Sequence, residues 1–132
     1  MSPDWKSAIA ADDTAALQAL AEAGADVDAR DEYGQTAIMI AARDGRTAAV
    51  RWLIAHGADL NHTAKFNLSA LMLAVINGRD AIVGLLVDAG ADRSIRGRGA
   101  PGFAGKTALD IAAAGNRAIM VALLRDHDIQ RL

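Results

Sequence analysis

The tripeptide Gly-Ala-Asp occurs three times, at Gly24–Asp26, Gly57–Asp59 and Gly90–Asp92, and each copy begins 33 residues after the one before it. A constant spacing of this length indicates a chain built from copies of one supersecondary unit. Units of this kind bury their apolar faces against neighbouring units, so the fold has no single centre. The spacing therefore decides the fold class and limits which functions are plausible.

The rest of each copy follows the same register. Thr36–Met39 matches Ser69–Met72 after 33 residues, and Thr107–Asp110 matches them again after 38. Five residues are therefore inserted between Arg96 and Thr107. Apolar residues near the N-terminus keep the pattern of a first copy, although its entry turn is missing. We expect a single domain of four units, at approximately residues 1–30, 31–63, 64–96 and 97–132, with the five-residue insertion near 97–101.

Each unit is predicted to contain two short helices. The first helix follows a hydroxyl residue, Thr36, Ser69 or Thr107. The hydroxyl oxygen at such a position can accept a hydrogen bond from a free helix N–H. Gly45 and Gly78 are predicted to end the first helix because glycine tolerates a positive φ, and Asn116 takes that place in the last unit. No window alternates as a strand would, so we predict an all-α solenoid of stacked helix-turn-helix units joined by β-turn or hairpin loops.

The stretch Asp31–Ala42 resembles the ankyrin-repeat pattern Asp-x-x-Gly-x-Thr-Pro-Leu-His-x-Ala-Ala, and the resemblance extends over roughly residues 4 to 127. It implies a unit of one β-turn, two antiparallel helices and a projecting loop. The departures recur at two positions. Alanine replaces the family's proline at Ala37, Ala70 and Ala108, and its histidine is replaced at Met39, Met72 and Asp110. The loss of proline removes some preorganisation of the helix start.

Composition limits the function further. The net charge of −2 is too balanced for general attraction to nucleic acid, and the absence of cysteine excludes a disulfide framework. The N-terminus does not resemble a secretory signal. The longest apolar run, Ala70–Ile76, is far shorter than the ~20 residues that span a bilayer. We therefore expect a cytoplasmic protein that is a monomer, enters no membrane and needs no cofactor.

Charge and residue usage are uneven along the chain. Residues 1–66 hold ten acidic and six basic residues, whereas residues 67–132 hold six acidic and eight basic ones. Basic residues concentrate around the insertion, at Arg93, Arg96, Arg98 and Lys106. Arginine outnumbers lysine eleven to three and alanine is abundant, a bias that is typical of GC-rich bacterial genomes.

The resemblance implies a binding function, because in an ankyrin stack the projecting turns and the solvent side of the first helices line a concave face. By the register above, the predicted partner-binding residues are Glu32, Tyr33, Gln35, Arg43, Asp44, Lys65, Phe66, Leu68, Ile76, Asn77, Arg98, Phe103 and Lys106. Aromatic anchors beside exposed Leu68 and Ile76 would form an apolar centre with a polar rim. The alternative is that Tyr33 and Phe66 fold back over neighbouring turns. We predict that Trp52 is core, and either core or surface remains open for Met39 and Met72.

The resulting prediction is a non-catalytic interaction protein that acts as an adaptor, inhibitor or protective partner of another protein. Two alternatives remain. A structural or self-associating module is one. The other is a nucleotide- or anion-binding protein, because residues 100–107 fit a relaxed phosphate-loop pattern. A true phosphate loop needs a preceding strand, and both Thr107 and Gly105 have structural explanations. We therefore favour a passive anion site, with Lys106 and Arg98 assisting, over nucleotide hydrolysis.

Other candidate chemistry is weak. Asp26 and Asp28 begin like a calcium loop, but Arg30 stands where an oxygen ligand is needed, and Asp26 is better interpreted as the residue that stabilises its turn. The histidines lack helical ligand spacing: His56, His62 and His127. We interpret His56 as favouring a helix C-terminus, and Asp12–Asp13 and Asp126–Asp128 as solvated charges. No catalytic, cofactor-binding or metal-binding residue is predicted.

The glycine-rich insertion at residues 97–102 is predicted to enlarge a hairpin loop. Insertions in repeat proteins often lie on the binding face. The sequence favours equally a recognition loop for an acidic partner and a tolerated, mobile excursion.

Overall fold

A computed structural model describes residues 1–99 and 102–130, with side chains described as far as residue 125. The prediction of an all-α fold is confirmed, because eight α-helices and one 3-10 turn account for the regular structure of this described part. The helices are α1 (Pro3–Ala10), α2 (Thr14–Glu22), α3 (Ala37–Asp44), α4 (Thr47–Ala55), α5 (Ala70–Ile76), α6 (Asp80–Asp88), α7 (Ala108–Ala114) and α8 (Ala118–Gln130). The 3-10 turn covers Lys65–Asn67.

The helices form antiparallel pairs that stack in two rows. In the inner row α1 packs on α3, α3 on α5 and α5 on α7, while in the outer row α2 packs on α4, α4 on α6 and α6 on α8. Inner helices have seven or eight residues, whereas outer helices have nine or more. Each helix therefore contacts its own pair and the neighbouring pairs, as in a solenoid.

Small apolar residues form the centre of the stack. Ala41 and Ala74 are fully buried at equivalent positions of α3 and α5, which lets the two helix backbones approach closely. Met39 and Met72 are buried too, so both are core residues. The prediction that Trp52 is core is only partly right. Its ring is half-buried, because it lies at the edge of the stack against Trp5, with centroids 6.0 Å apart, and its Nε1 donates to Gln18 at 3.1 Å.

The predicted ends of the inner helices are confirmed. Gly45, Gly78 and Asn116 have φ values of 75°, 74° and 54°, in the left-handed region that reverses the chain. Asp12 takes the same place after α1, with φ 53°. The interpretation of Asp12–Asp13 as solvated charges is therefore wrong.

Both carboxylates cap helices. That of Asp12 accepts the Ala49 N–H at 2.7 Å across 37 residues, and that of Asp13 accepts the Ala16 N–H at 3.0 Å. Asp12 thus serves the start of α4, where the N-cap residue Arg46 makes no side-chain cap bond.

The predicted hydroxyl caps are correct in two cases of three. Ser69 accepts the Met72 N–H at 3.3 Å, and Thr107 accepts the Asp110 N–H at 3.3 Å. The prediction for Thr36 is wrong: its hydroxyl is buried and has no hydrogen-bond partner within the described part of the chain. Thr36 is only 1% exposed. Because threonine is stiff at χ1, packing of its methyl group outweighs the cap bond at this position.

The Gly-Ala-Asp turns are linked to one another. The carboxylates of Asp26, Asp59 and Asp92 accept the N–H two residues further on, at 2.9, 2.9 and 2.8 Å, which confirms the interpretation of Asp26. The side chain two residues after the first two of these aspartates then reaches the next turn. Asp28 accepts the Asp59 N–H at 2.9 Å, and Asn61 accepts the Asp92 N–H at 2.8 Å. This series is called the Asx ladder below.

Candidate partner-binding face

The tip of the second hairpin holds Tyr33 away from the body of the protein. One Asp31 carboxylate oxygen accepts the N–H groups of Tyr33 and Gln35, each at 2.9 Å, and the Asp31 N–H donates to the Gln35 carbonyl at 2.9 Å. The Tyr33 residue is 72% exposed. It therefore does not fold back over a neighbouring turn, and it stands on a hydrogen-bonded support.

Phe66 occupies the equivalent place on the third tip, with a different backbone. It has φ 62° and the following Asn67 has φ 57°. A left-handed conformation costs roughly 1–2 kcal/mol for a residue other than glycine. The Phe66 carbonyl accepts the Arg98 N–H at 2.7 Å. Asn67 accepts the Thr63 hydroxyl at 2.8 Å and donates to the Arg96 carbonyl at 2.9 Å. These bonds hold the strained tip, and Phe66 remains 37% exposed.

The hairpin that carries the insertion is closed at its base. The Gly97 N–H donates to the Lys106 carbonyl at 3.0 Å, and the Gly105 N–H donates to the Gly97 carbonyl at 2.9 Å. A Cβ atom on Gly97 would lie 2.4 Å from the Phe103 carbonyl oxygen, so the close approach requires glycine. Residues 100 and 101 lie outside the described residues. The two ends of the insertion are thus held by backbone hydrogen bonds.

Three predicted apolar contact residues lie deeper than expected. The prediction that Leu68 is exposed is wrong, since it is 7% exposed and belongs to the core. Its carbonyl accepts the Ala64 N–H at 3.4 Å, which keeps Leu68 at the base of the hairpin instead of its tip. Ile76 and Phe103 are half-buried and pack against the core. Of the predicted apolar and aromatic anchors, Tyr33 and Phe66 are the exposed ones.

A row of apolar side chains on the inner helices was not predicted. Ile40, Leu73 and Ile111 occupy equivalent positions of α3, α5 and α7, and all three are half-buried. Their spacings of 33 and 38 residues are those of the repeat, so the signal was present in the sequence. These three residues are called the inner apolar row below. Ile76 lies one helical turn after Leu73 on the same face of α5.

Charged residues flank this row, and several are paired within the chain. The Arg43 guanidinium lies 2.9 Å from the Asp44 carboxylate, which lowers the pKa of Asp44 and raises that of Arg43. The Gln35 side-chain oxygen accepts from Arg43 at 3.3 Å.

At the first two units, the Lys6 ammonium lies 3.0 Å from the Glu32 carboxylate. The pKa of Glu32 is lowered by its backbone hydrogen bond and by this lysine. On α5, the Asn77 side chain donates to the Leu73 carbonyl at 2.8 Å. A partner that uses Glu32 or Arg43 must therefore replace or extend an existing pair.

The start of α7 already holds a carboxylate of the chain itself. Asp110 accepts the Thr107 N–H at 3.0 Å, and this bond is the main reason why the pKa of Asp110 is lowered. The carboxylate thus stands at the helix N-terminus, where an added anion would bind. Within the described residues, an isolated bridge between Gly97 and Ala104 precedes this helix, not the strand that a phosphate loop requires.

His56 behaves as predicted at the end of α4, where its Nδ1 lies 2.8 Å from the Trp52 carbonyl oxygen and its ring stacks on Trp52. His62 lies 2.9 Å from the Gly34 carbonyl oxygen, between two hairpin tips. The part of the chain that the structure describes contains no group of three or more potential metal ligands. The side chains of His127, Asp126 and Asp128 lie outside it. No described helix is long and apolar enough to cross a membrane.

A groove of about 640 Å³ lies away from this face, between the Gly90–Ser94 turn and the last helix pair. Arg93 crosses the region and donates to the Leu124 carbonyl at 2.8 Å. The groove is walled mainly by a backbone turn and presents no exposed aromatic side chain. We therefore regard the tips and the inner apolar row, rather than this larger concavity, as the candidate binding face.

Stacked helix pairs with projecting hairpin tips define the chain as an α-helical repeat protein. The sequence model of the family described as "Ankyrin repeats (3 copies)" matches residues 6–97, and the chain belongs to that family. No curated protein matches the chain. Ankyrin repeats are in general protein–protein interaction modules, and the family is typically non-enzymatic.

Proposed function

We propose that this chain is a non-catalytic, cytoplasmic ankyrin-repeat domain of four units that binds a partner protein through its concave face. The face consists of the hairpin tips and the inner helices. By occupying a surface of its partner, the domain would act as an adaptor, an inhibitor or a protective partner. We propose that it does so as a monomer and without a cofactor.

The observation that carries this proposal is the presentation of Tyr33. An aromatic residue that is 72% exposed is held on a tip by two hydrogen bonds to Asp31. A rigid aromatic side chain loses little conformational entropy on binding, and tyrosine is enriched among residues that dominate interface energy. The inner apolar row continues the apolar surface from the tips onto the helices.

The experiment is affinity capture from a lysate of the native cell, with the wild-type chain and two single variants. Tyr33→Ala removes the anchor, and both support bonds to Asp31 remain because they use backbone N–H groups. Ile119→Ala is the matched control, since Ile119 is 63% exposed but lies on the outer helix α8. We expect Tyr33→Ala to weaken capture of the partner roughly 30-fold, which corresponds to the ~2 kcal/mol of an interface hot spot.

Capture by Ile119→Ala should equal that of the wild type. The proposed face is wrong if Tyr33→Ala together with Phe66→Ala captures the same proteins as the wild type. It is also wrong if Ile119→Ala is the variant that loses them.

A further inference from the structure

Basic residues of two consecutive hairpins meet beside Phe66. We name Lys65, Arg96, Arg98 and Lys106 the basic tip cluster. Backbone bonds bring them together, because the Phe66 carbonyl accepts the Arg98 N–H at 2.7 Å and the Arg96 carbonyl accepts from the Asn67 side chain at 2.9 Å. The Gly97 N–H bond to the Lys106 carbonyl, at 3.0 Å, closes the group. The cluster is therefore a product of the folded insertion.

The cluster is exposed and carries more positive charge than its surroundings neutralise. Lys65 and Arg98 are exposed, and so is the Arg96 side chain. The Asp110 carboxylate lies 4.0 Å from the Arg96 guanidinium, so one negative charge faces four positive ones. The whole chain has a net charge of −2, which makes this positive region a local departure from the average.

Apolar surface lies within the same group. The Lys65 ammonium is 4.9 Å from the centre of the Phe66 ring, and the ring is partly exposed. Phe66 is held in a left-handed conformation, whereas Tyr33 on the second tip is not. Strained residues of this kind persist where the surrounding structure imposes them, and they cluster at binding sites. The strain at Phe66 accompanies the one backbone bond that attaches Arg98 to this ring.

We propose that the basic tip cluster binds an acidic, extended peptide segment of the partner, with an apolar side chain of that segment on the Phe66 ring. This inference rests on the proposed function and names the chemistry of the segment bound. Arginine and lysine pair with carboxylates through charge-assisted hydrogen bonds, and the aromatic ring provides the apolar contact. A long nucleic acid fits less well, because its phosphates would extend from the cluster over the acidic first half of the chain.

The test uses fluorescence anisotropy with a labelled peptide of about eight residues, glutamate with two leucines, and a second peptide with glutamine in place of glutamate. We expect the glutamate peptide to bind at least about tenfold more tightly at low salt, and its affinity to fall as salt is raised. The variant Lys65→Gln/Arg98→Gln should lose at least about tenfold in affinity for it.

Two controls separate this site from general effects. Arg51→Gln/Arg125→Gln makes the same charge change at exposed positions on outer helices, and it should change the affinity less than about twofold. Phe66→Gly removes the ring but suits the left-handed backbone. It should leave the melting temperature unchanged or raise it, while affinity for the glutamate peptide falls at least about threefold.

Three results would overturn the inference. The first is equal binding of the glutamate and glutamine peptides, and the second is an equal loss of affinity in the two double variants. The third is binding of a single-stranded oligonucleotide of matched charge as tightly as the glutamate peptide, with the same sensitivity to Lys65→Gln/Arg98→Gln. A negative peptide result together with Tyr33-dependent capture would reject this inference and retain the proposed function.

Discussion

Asp12 combines two roles whose energies can be separated by substitution. Its carboxylate accepts the N–H groups of Ala49 at 2.7 Å and Ala48 at 3.4 Å, and its backbone has φ 53°. Loss of an N-cap side chain costs about 0.5–2 kcal/mol, and a left-handed alanine costs roughly 1–2 kcal/mol. We therefore expect Asp12→Ala to lower the free energy of unfolding by about 2–3 kcal/mol.

Two further variants divide that loss. Asp12→Gly removes the carboxylate without backbone strain and should cost about 1 kcal/mol. Asp12→Asn keeps an acceptor oxygen and tolerates the left-handed conformation, so it should cost less than about 0.5 kcal/mol. The assay is urea unfolding followed by circular dichroism, with thermal melting as a second measure. For a chain of this size each kcal/mol corresponds to roughly 3–5 °C.

The order of the three variants is the decisive result. Equal losses for Asp12→Ala and Asp12→Gly would show that the positive φ contributes nothing. A loss for Asp12→Asn as large as that for Asp12→Ala would show that the bond to the α4 N-terminus does not stabilise the fold. Either outcome would refute this account of the site.

Two other predictions concern stability. Thr36→Val should be neutral or stabilising by up to about 1 kcal/mol, because it removes a buried hydroxyl that has no partner, whereas Thr107→Val should cost about 1 kcal/mol by removing a working cap; equal effects in urea unfolding would contradict the assignment. The folded state lowers the pKa of Asp44, Asp92 and Asp110, so the unfolded chain binds more protons in acid. Their contribution is present above the unfolded value of about 3.9 and is lost as the pH falls through the lower folded pKa. The melting temperature should therefore be level near neutral pH and fall below about pH 4, and a melting temperature that rises in this acid range would contradict the sign.

The fold was predictable because its signals are local. A glycine that must adopt a positive φ, such as Gly45 or Gly78, marks a helix end wherever it occurs in the register. Asp12 carries no such signal, since a carboxylate that bonds 37 residues away looks like any surface charge in the sequence. The helix pairs could therefore be predicted, but not the bonds between them.

The candidate site was predictable at its tips and less so at their bases. Tyr33 is exposed as expected, but Leu68, two residues after the equivalent Phe66, is buried. Depth changes within two residues because the hairpin narrows, and the register alone does not contain that dimension. The positive φ of Phe66 was not predictable either, because a bulky aromatic residue rarely adopts it. Its cause is a bond to Arg98 from the next hairpin.

The Asx ladder has a direction that bears on how the protein is made. In each bond between turns the acceptor belongs to the earlier unit, as in Asp28 to the Asp59 N–H and Asn61 to the Asp92 N–H. Asp12 and Ala49 follow the same order. During synthesis the N-terminal part of a chain leaves the ribosome first. Each new turn therefore meets an acceptor that is already in place, and a nascent chain can add its helix pairs one at a time in the order in which they are translated.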